Sequence, residues 1–193
     1  GCGVVLNALL IYLIRRFSRS ALGTYKHLLS VFAAYDIFLS LLHLATRPAA
    51  IITGTTIGVV TETKSRKMTS LYCACFSVPF ALMNIHIIYR FWAVRSPHLV
   101  ELFSRKTFIA LLSLWPLAEC AVWYLLCCYA LTGDANEAGT VILRDEYARR
   151  YGRELRDGWI VMNYWQEHGF NSRLFAAMVA FDAIIVASFG VAF

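Results

Sequence analysis

Three acidic side chains lie inside long apolar runs of this sequence, where they could carry ions or hold a polar contact. Asp36 and Glu119 fall midway along two of the runs, and Asp182 lies inside a third. Ionisable groups at membrane depth cost a few kcal/mol each, so they usually face the interior of a helical bundle. We weigh two interpretations, an ion path or switch and a buried interhelical hydrogen bond. Asn7 is the expected partner of Asp36, because the two lie at comparable depth in adjacent runs.

A stripe of polar and aromatic residues runs along a further apolar segment and ends at a cation. Steps of three or four positions back from Arg90 reach, in order, His86, Met83, Pro79, Phe76 or Cys75, and Tyr72. This spacing places the stripe on one helix face, which we expect to face the bundle. A lone arginine at the end of a span is usually an interfacial anchor, and a histidine in such a run is usually a satisfied core residue. Pro79 and Pro116 each predict a kink.

The elements that must carry these residues are membrane-spanning helices. The 193 residues are 59% hydrophobic and only 16% charged, with a mean hydropathy of +0.59. That composition excludes a water-soluble globule. A spanning helix needs about 20 mostly apolar residues. We predict an all-α, multi-span transmembrane bundle, clipped at both ends, with spans at about 1–14, 28–45, 69–91, 108–131 and 174–193 and a loop at about 132–173.

The distribution of lysine and arginine predicts the orientation. Basic residues outnumber acids in the first and third connections, which include Arg15, Arg16, Arg95 and Arg105. Short connections with such an excess normally face the cytoplasm. We therefore expect the loop at 132–173 to lie outside the cell.

That loop has features of local order. Residues 144–157 mix charges at helical spacing, such as Glu146 with Arg150, which is typical of a solvated surface helix. The alternative is a lid over a ligand pocket, suggested by the aromatic residues that follow. They are Trp159, Tyr164, Trp165 and Phe170.

Four segments resemble the Str family of nematode seven-transmembrane chemoreceptors, serpentine receptor class r. They are Leu22 to Leu29, Ala34 to Phe38, Tyr72 to Phe76 and Ile85 to Val94. The resemblance implies five spans of a seven-helix receptor that resembles G-protein-coupled receptors. It implies a small-molecule ligand on the outer side, a heterotrimeric G protein on the inner side, and a plasma membrane location in sensory neuron cilia.

By this resemblance, Arg90 with Tyr89 and His86 would form the switch for G-protein coupling. Ser65 stands 25 positions before Arg90, where rhodopsin-like receptors carry the cysteine of an extracellular disulfide. The outer loop must therefore be tethered differently. The sixth and seventh spans, which form the cytoplasmic opening, are not among these residues. For the ligand pocket we expect aromatic walls, formed by Tyr72, Phe76, Phe80 and Trp123.

The main alternative function is a fragment of a transporter or channel, with Asp36, Glu119 and Asp182 lining a path. An enzyme is the third class, and the chain lacks the HExxH, GxSxG and phosphate-loop motifs that would support one. We predict no catalytic residue, no metal site and no cofactor. The net charge of +6 is spread along the chain, so we predict no nucleic-acid partner. The lipid bilayer is an expected partner.

Overall fold

The computed structural model describes residues 2–17, 23, 25–131, 137–155, 157–166 and 169–190. The described residues form a series of helices that short strands interrupt in two places. The helices are α1 Cys2–Phe17, α2 Tyr25–Thr46, α3 Arg66–Cys75, α4 Val78–Arg95, α5 Pro97–Val100, α6 Lys106–Tyr129, α7 Glu137–Tyr151 and α8 Ser172–Gly190. The strands are β1 Ala49–Thr53, β2 Thr56–Val60, β3 Trp159–Asn163, β4 Trp165–Gln166 and β5 Gly169–Phe170.

Three helical segments among the described residues are long and apolar enough to cross a membrane. They are Tyr25–Thr46, Arg66–Arg95 and Lys106–Tyr129. Large apolar side chains such as Leu44, Leu111 and Leu117 are more than half exposed on them, as expected of surfaces that face lipid. The structure is therefore mostly helical, as the sequence predicts. That the chain contains five spans stays a prediction.

The residues form two compact units, one made of 1–44, 76–120 and 185–193, and one made of 45–75 and 121–184. We call the first the helical unit and the second the sheet unit. Each is described by itself.

In the helical unit, the core follows one face of α4. Val78, Leu82, Ile85 and Tyr89 are buried at alternating spacings of four and three residues, which is the period of an amphipathic helix. Phe103, from a short 3₁₀ turn at Glu101–Ser104, completes the buried cluster. Aromatic and aliphatic side chains of α2 and α6 pack against it. They are Tyr25, Leu28, Phe32, Tyr35, Phe108, Leu112 and Trp115.

The predicted break at Pro79 is present. The long segment is interrupted at Phe76 and Ser77, and Pro79 lies in the first turn of α4. Proline is tolerated there because its missing N–H would have no intrahelical partner. Pro116 lies inside α6, which continues past it.

The sheet unit contains strands that the sequence analysis missed. The order is β1-β2-β3, all antiparallel, with Ile51 opposite Gly58 and Val59 opposite Ile160. Gly54, at φ +56°, supplies the positive φ that the tight β1–β2 turn requires. The connections, for which the sequence predicted no strands, thus contain a small sheet rich in β-branched residues.

Helix α7 packs on this sheet. Leu143 is 1% exposed and lies over Gly58, where a Cβ atom would come within 2.4 Å of its side chain. The helix runs from Glu137 to Tyr151, so it begins and ends earlier than the predicted 144–157. Gly152, at φ +62°, follows its last residue, which is the usual way for a helix to end.

A chain of hydroxyls ties the start of α3 to the segment before β3, close to Ser65, where the sequence has no cysteine. The Thr69 hydroxyl donates to the carbonyl of Gly158, and the Thr61 hydroxyl lies 2.7 Å from that of Thr69. Gly158 has φ +103°, and a Cβ atom there would lie 2.6 Å from the backbone of Lys64 and Ser65. All six cysteines are free. This segment is therefore tethered by hydrogen bonds and close backbone packing.

Candidate functional site

Arg90 lies near the end of α4 and is exposed. Its guanidinium donates two hydrogen bonds to the phenolic oxygen of Tyr25, from Nη2 at 3.1 Å and from Nε at 3.3 Å. Tyr25 is the first residue of α2. The cation predicted to act as a switch is therefore held by a residue on a neighbouring helix.

His86, one turn earlier on α4, contacts the same phenol. The Tyr25 hydroxyl lies 2.5 Å from Nε2 of His86, and the two rings stack with centroids 5.1 Å apart. Because Arg90 can only donate to the phenolic oxygen, the phenol's own proton is left to donate to Nε2. This assignment makes Nε2 the unprotonated nitrogen of a neutral imidazole. Tyr25 therefore joins the two predicted switch residues.

Tyr89 takes a different position from its neighbour. It is buried, packs edge-to-face on Phe103 with centroids 4.9 Å apart, and lies 5.2 Å from the Tyr25 ring. Such contacts fix the ring in the core. Tyr89 thus packs against Tyr25 from the buried side of α4, whereas Arg90 lies at the surface.

The electrostatics of the site rest on a single charge. In the part of the chain that the structure describes, Arg90 forms no ion pair. A hydrogen bond from a charged group to a neutral acceptor is worth about 1.5–3 kcal/mol when buried, and solvent reduces that value at an exposed site. The guanidinium is therefore positioned by weak neutral contacts that can be exchanged for another partner.

The other predicted polar residues have varied surroundings. Asn7 donates from Nδ2 to the carbonyl of Gly3 in its own helix, at 3.0 Å, and Asp36 is exposed. Their expected contact stays a prediction. Glu119 is buried, and its Oε1 accepts from Nε1 of Trp115 at 2.8 Å within α6. Its hydrogen bond is therefore within one helix, not between helices.

Asp182 is exposed on α8 in the sheet unit. Burial raises the pKa of the nearby Tyr164 phenol, and the Asp182 carboxylate raises that pKa further. The carboxylate thus lies close enough to influence a tyrosine of the segment between β3 and β4.

The four predicted pocket residues are distributed over both units. In the sheet unit, Tyr72 is buried and Trp123 stacks on Phe181 with centroids 4.3 Å apart. In the helical unit, Phe76 and Phe80 are nearly half exposed. The pocket that they would form together stays a prediction. No metal-binding group of histidine, cysteine or acidic side chains occurs among the described residues.

Sequence reasoning missed the role of Tyr25. It lies 61 positions from His86 and 65 from Arg90, so no periodicity within one helix connects them. One signal was available, since a tyrosine at the first residue of a span lies at the same membrane edge as an arginine that ends an antiparallel neighbour.

The fold and this site define a class, a helical membrane protein with an exposed cation near the end of a helix long enough to span the membrane. The family model described as serpentine type 7TM GPCR chemoreceptor Str matches residues 1–193, and the chain belongs to that family. Serpentine receptor class r-10 of Caenorhabditis briggsae is 33% identical over 118 residues, which is 58% of this chain and 33% of the relative. Its Caenorhabditis elegans counterpart is 32% identical over 123 residues, 60% and 34% of the two chains.

The aligned part spans about a third of the length of these curated relatives. No solved structure matches the chain. The family is a receptor family, which agrees with the prediction that the chain is not an enzyme.

Proposed function

We propose that the chain is part of a chemosensory G-protein-coupled receptor, which binds a small molecule outside the cell and activates a heterotrimeric G protein inside. The observation that carries the proposal is that the hydroxyl of Tyr25 contacts both Arg90 and His86. It supplies a cation at the end of a span, free of carboxylate partners among the described residues and exposed to solvent. A G protein would meet this cation on the cytoplasmic face.

The proposed orientation follows the basic connections. Arg95 and Arg105 flank α5, next to the end of α4 that carries Arg90. An excess of basic residues in short connections favours the cytoplasm. The loop at 132–173 would then lie outside the cell. We place the receptor in the plasma membrane, in the cilia of sensory neurons.

The proposed mechanism is a shift between two populations. In the resting state, Tyr25 accepts both hydrogen bonds from Arg90, and His86 fixes the direction of the phenol. In the active state, Arg90 would leave Tyr25 and contact the G protein. A ligand that binds the active state more tightly raises its population, and only that difference in affinity can do so.

A transporter or channel has less support. Asp36 and Asp182 are exposed, and the buried Glu119 is bonded to Trp115 on its own helix. A path needs polar groups that face one another, and none of these contacts provides that.

The test uses the full-length receptor that contains this chain, reconstituted in vesicles with a purified heterotrimeric G protein. We expect Arg90→Ala to abolish both basal and compound-evoked GTP exchange, while surface expression in cells persists. Arg95→Ala is the matched control, because Arg95 is also an exposed cation at the end of α4. Unchanged exchange in Arg90→Ala would remove Arg90 from the coupling role, and equal loss in both variants would indicate only a requirement for positive charge.

A further inference from the structure

The sheet unit contains a cavity of about 370 Å³ at the edge where β1 begins, β2 ends and α7 ends. Ligand pockets usually measure about 300–1,000 Å³, so this cavity suits a small molecule. All of its lining residues belong to the sheet unit. It is distinct from the pocket of helix-borne aromatic residues predicted from the sequence.

The floor of the cavity is apolar and fixed. Val60 is 7% exposed and belongs to the buried cluster of the sheet unit, against which Tyr147 packs. Tyr151 continues this surface, because its ring lies 4.9 Å from that of Tyr147 at an interplanar angle of 40°. Two adjacent aromatic rings offer large apolar area at little cost in conformational entropy.

The rim of the cavity carries one more positive charge than negative charge. Arg47, Glu62 and Arg153 line it. Arg47 is paired with Glu62 at 3.3 Å. Among the described residues, Arg153 forms no ion pair. A guanidinium recognises a carboxylate with two parallel hydrogen bonds, so Arg153 offers an anchor for a ligand carboxylate.

We infer that this cavity is a binding site for a small organic carboxylate with an apolar or aromatic body. The carboxylate would pair with Arg153, and the body would lie on Tyr147, Tyr151 and Val60. Thr61 also lines the cavity, and its hydroxyl lies 2.7 Å from that of Thr69 in α3. An occupant would therefore contact a residue that is itself hydrogen-bonded to the start of α3.

The inference does not depend on the proposed function, because binding is measured without a G protein. The full-length receptor that contains this chain is placed in lipid nanodiscs, and radiolabelled phenylacetate is the probe in equilibrium dialysis, with empty nanodiscs as background. Phenylacetamide keeps the ring and removes the charge, whereas acetate keeps the charge and removes the ring. Both serve as unlabelled competitors, and we expect each to compete at least about tenfold less well than unlabelled phenylacetate.

The decisive variant is Arg153→Ala, which we expect to weaken phenylacetate binding about tenfold or more. The affinity of Arg153→Lys for phenylacetate should lie between the affinities of Arg153→Ala and the wild type, because an ammonium keeps the charge but not the paired hydrogen bonds. Arg173→Ala is the matched control, since it removes an equal charge at an exposed position of the same unit outside the cavity.

Several results would overturn the inference. Phenylacetate binding no greater than that of empty nanodiscs excludes the site. Equal binding in wild type and Arg153→Ala excludes the proposed anchor, and equal losses in Arg153→Ala and Arg173→Ala show a non-specific effect of net charge. Acetate that competes as well as phenylacetate excludes the role of the tyrosine surface.

Discussion

In the helical unit, the exposed guanidinium of Arg90 is held by one neutral phenol, whereas in the sheet unit the buried carboxylate of Glu146 takes two arginines. Arg149 donates to it from Nε at 2.8 Å and from Nη2 at 2.6 Å, and Arg150 donates from its own Nε. Charge-assisted pairs of this kind are strong and directional. The comparison teaches that charged hydrogen bonds from two arginines fix Glu146 on α7, whereas Arg90 donates to a neutral acceptor that water can replace.

The largest effect should come from Gly158→Ala in the sheet unit. Alanine is strained at φ +103°, and its Cβ would lie 2.6 Å from the backbone of Lys64 and Ser65. Backbone cannot move aside as a side chain can, so we expect a loss of about 3 kcal/mol in the free energy of unfolding. Thermal unfolding in detergent measures it. Gly152→Ala is the control, because φ is +62° there and no atom lies within 4 Å of its Cβ position; an equal loss in both variants would show that close packing at Gly158 is unimportant.

A smaller loss should follow from Thr69→Val. The substitution keeps the shape and removes the hydroxyl that donates to Gly158 and contacts Thr61. The buried carbonyl of Gly158 would lose the hydroxyl that donates to it, and Thr61 would keep only its hydrogen bond with Thr63, which together costs about 2 kcal/mol. The thermal midpoint should fall accordingly, whereas a reducing agent should leave the wild-type midpoint unchanged because all six cysteines are free. A midpoint that falls on reduction, with no change in Thr69→Val, would contradict the hydrogen-bonded tether.

The carboxyl of Glu146 should make the stability of the sheet unit depend on pH. The hydrogen bonds from Arg149 and Arg150 lower the pKa of its carboxyl from 4.5 to about 2. A lowered pKa in the folded state gives stability that is fully present above pH 4.5 and is lost as the pH falls towards 2. Glu146→Gln should remove this dependence, and Glu154→Gln, at an exposed position, should retain it. Melting curves between pH 6 and about pH 2 provide the test; identical slopes for wild type and Glu146→Gln would contradict it.

Tyr25→Phe should have the smallest effect on stability. Phenylalanine keeps the ring packing on His86 and Tyr89 and removes the hydroxyl. Because Arg90 is exposed and water can replace the phenol, we expect less than about 1 kcal/mol. A thermal midpoint in detergent within a few degrees of wild type would agree with this. A loss as large as that of Thr69→Val would mean that the contact at Arg90 is as firmly built as the sheet unit.

The sequence predicts the long helices well, because their signal is local. Each of α2 and α6 is a run of more than 20 mostly apolar residues, and length alone separates such runs from core helices of soluble proteins. The strands β1 to β3 have only five residues each. β1 and β2 pair locally as a hairpin, but β3 joins β2 through pairing between positions about 100 residues apart, such as Val60 with Trp159. That long-range pairing leaves no period in the sequence.

The site could be predicted in part for the same reason. Arg90 and His86 share one helix face, so their spacing points to them. Spacing within α4 cannot indicate Tyr25, because Tyr25 lies on α2. In α7, the pair of Glu146 with Arg150 is confirmed. The same spacing would also pair Asp145 with Arg149, but Arg149 bonds Glu146 instead. Charge spacing limits the choice of partner, and packing against the sheet, which buries Glu146, decides it.

The most direct test of the exchangeable contact is basal GTP exchange by the full-length receptor in vesicles, without any added compound. If Tyr25 restrains Arg90, then Tyr25→Phe should raise basal exchange a few fold, since removal of a little less than about 1 kcal/mol from the resting state shifts the two populations by that factor. Adding Arg90→Ala to Tyr25→Phe should abolish the increase. Basal exchange in Tyr25→Phe at or below the wild-type level would contradict the account.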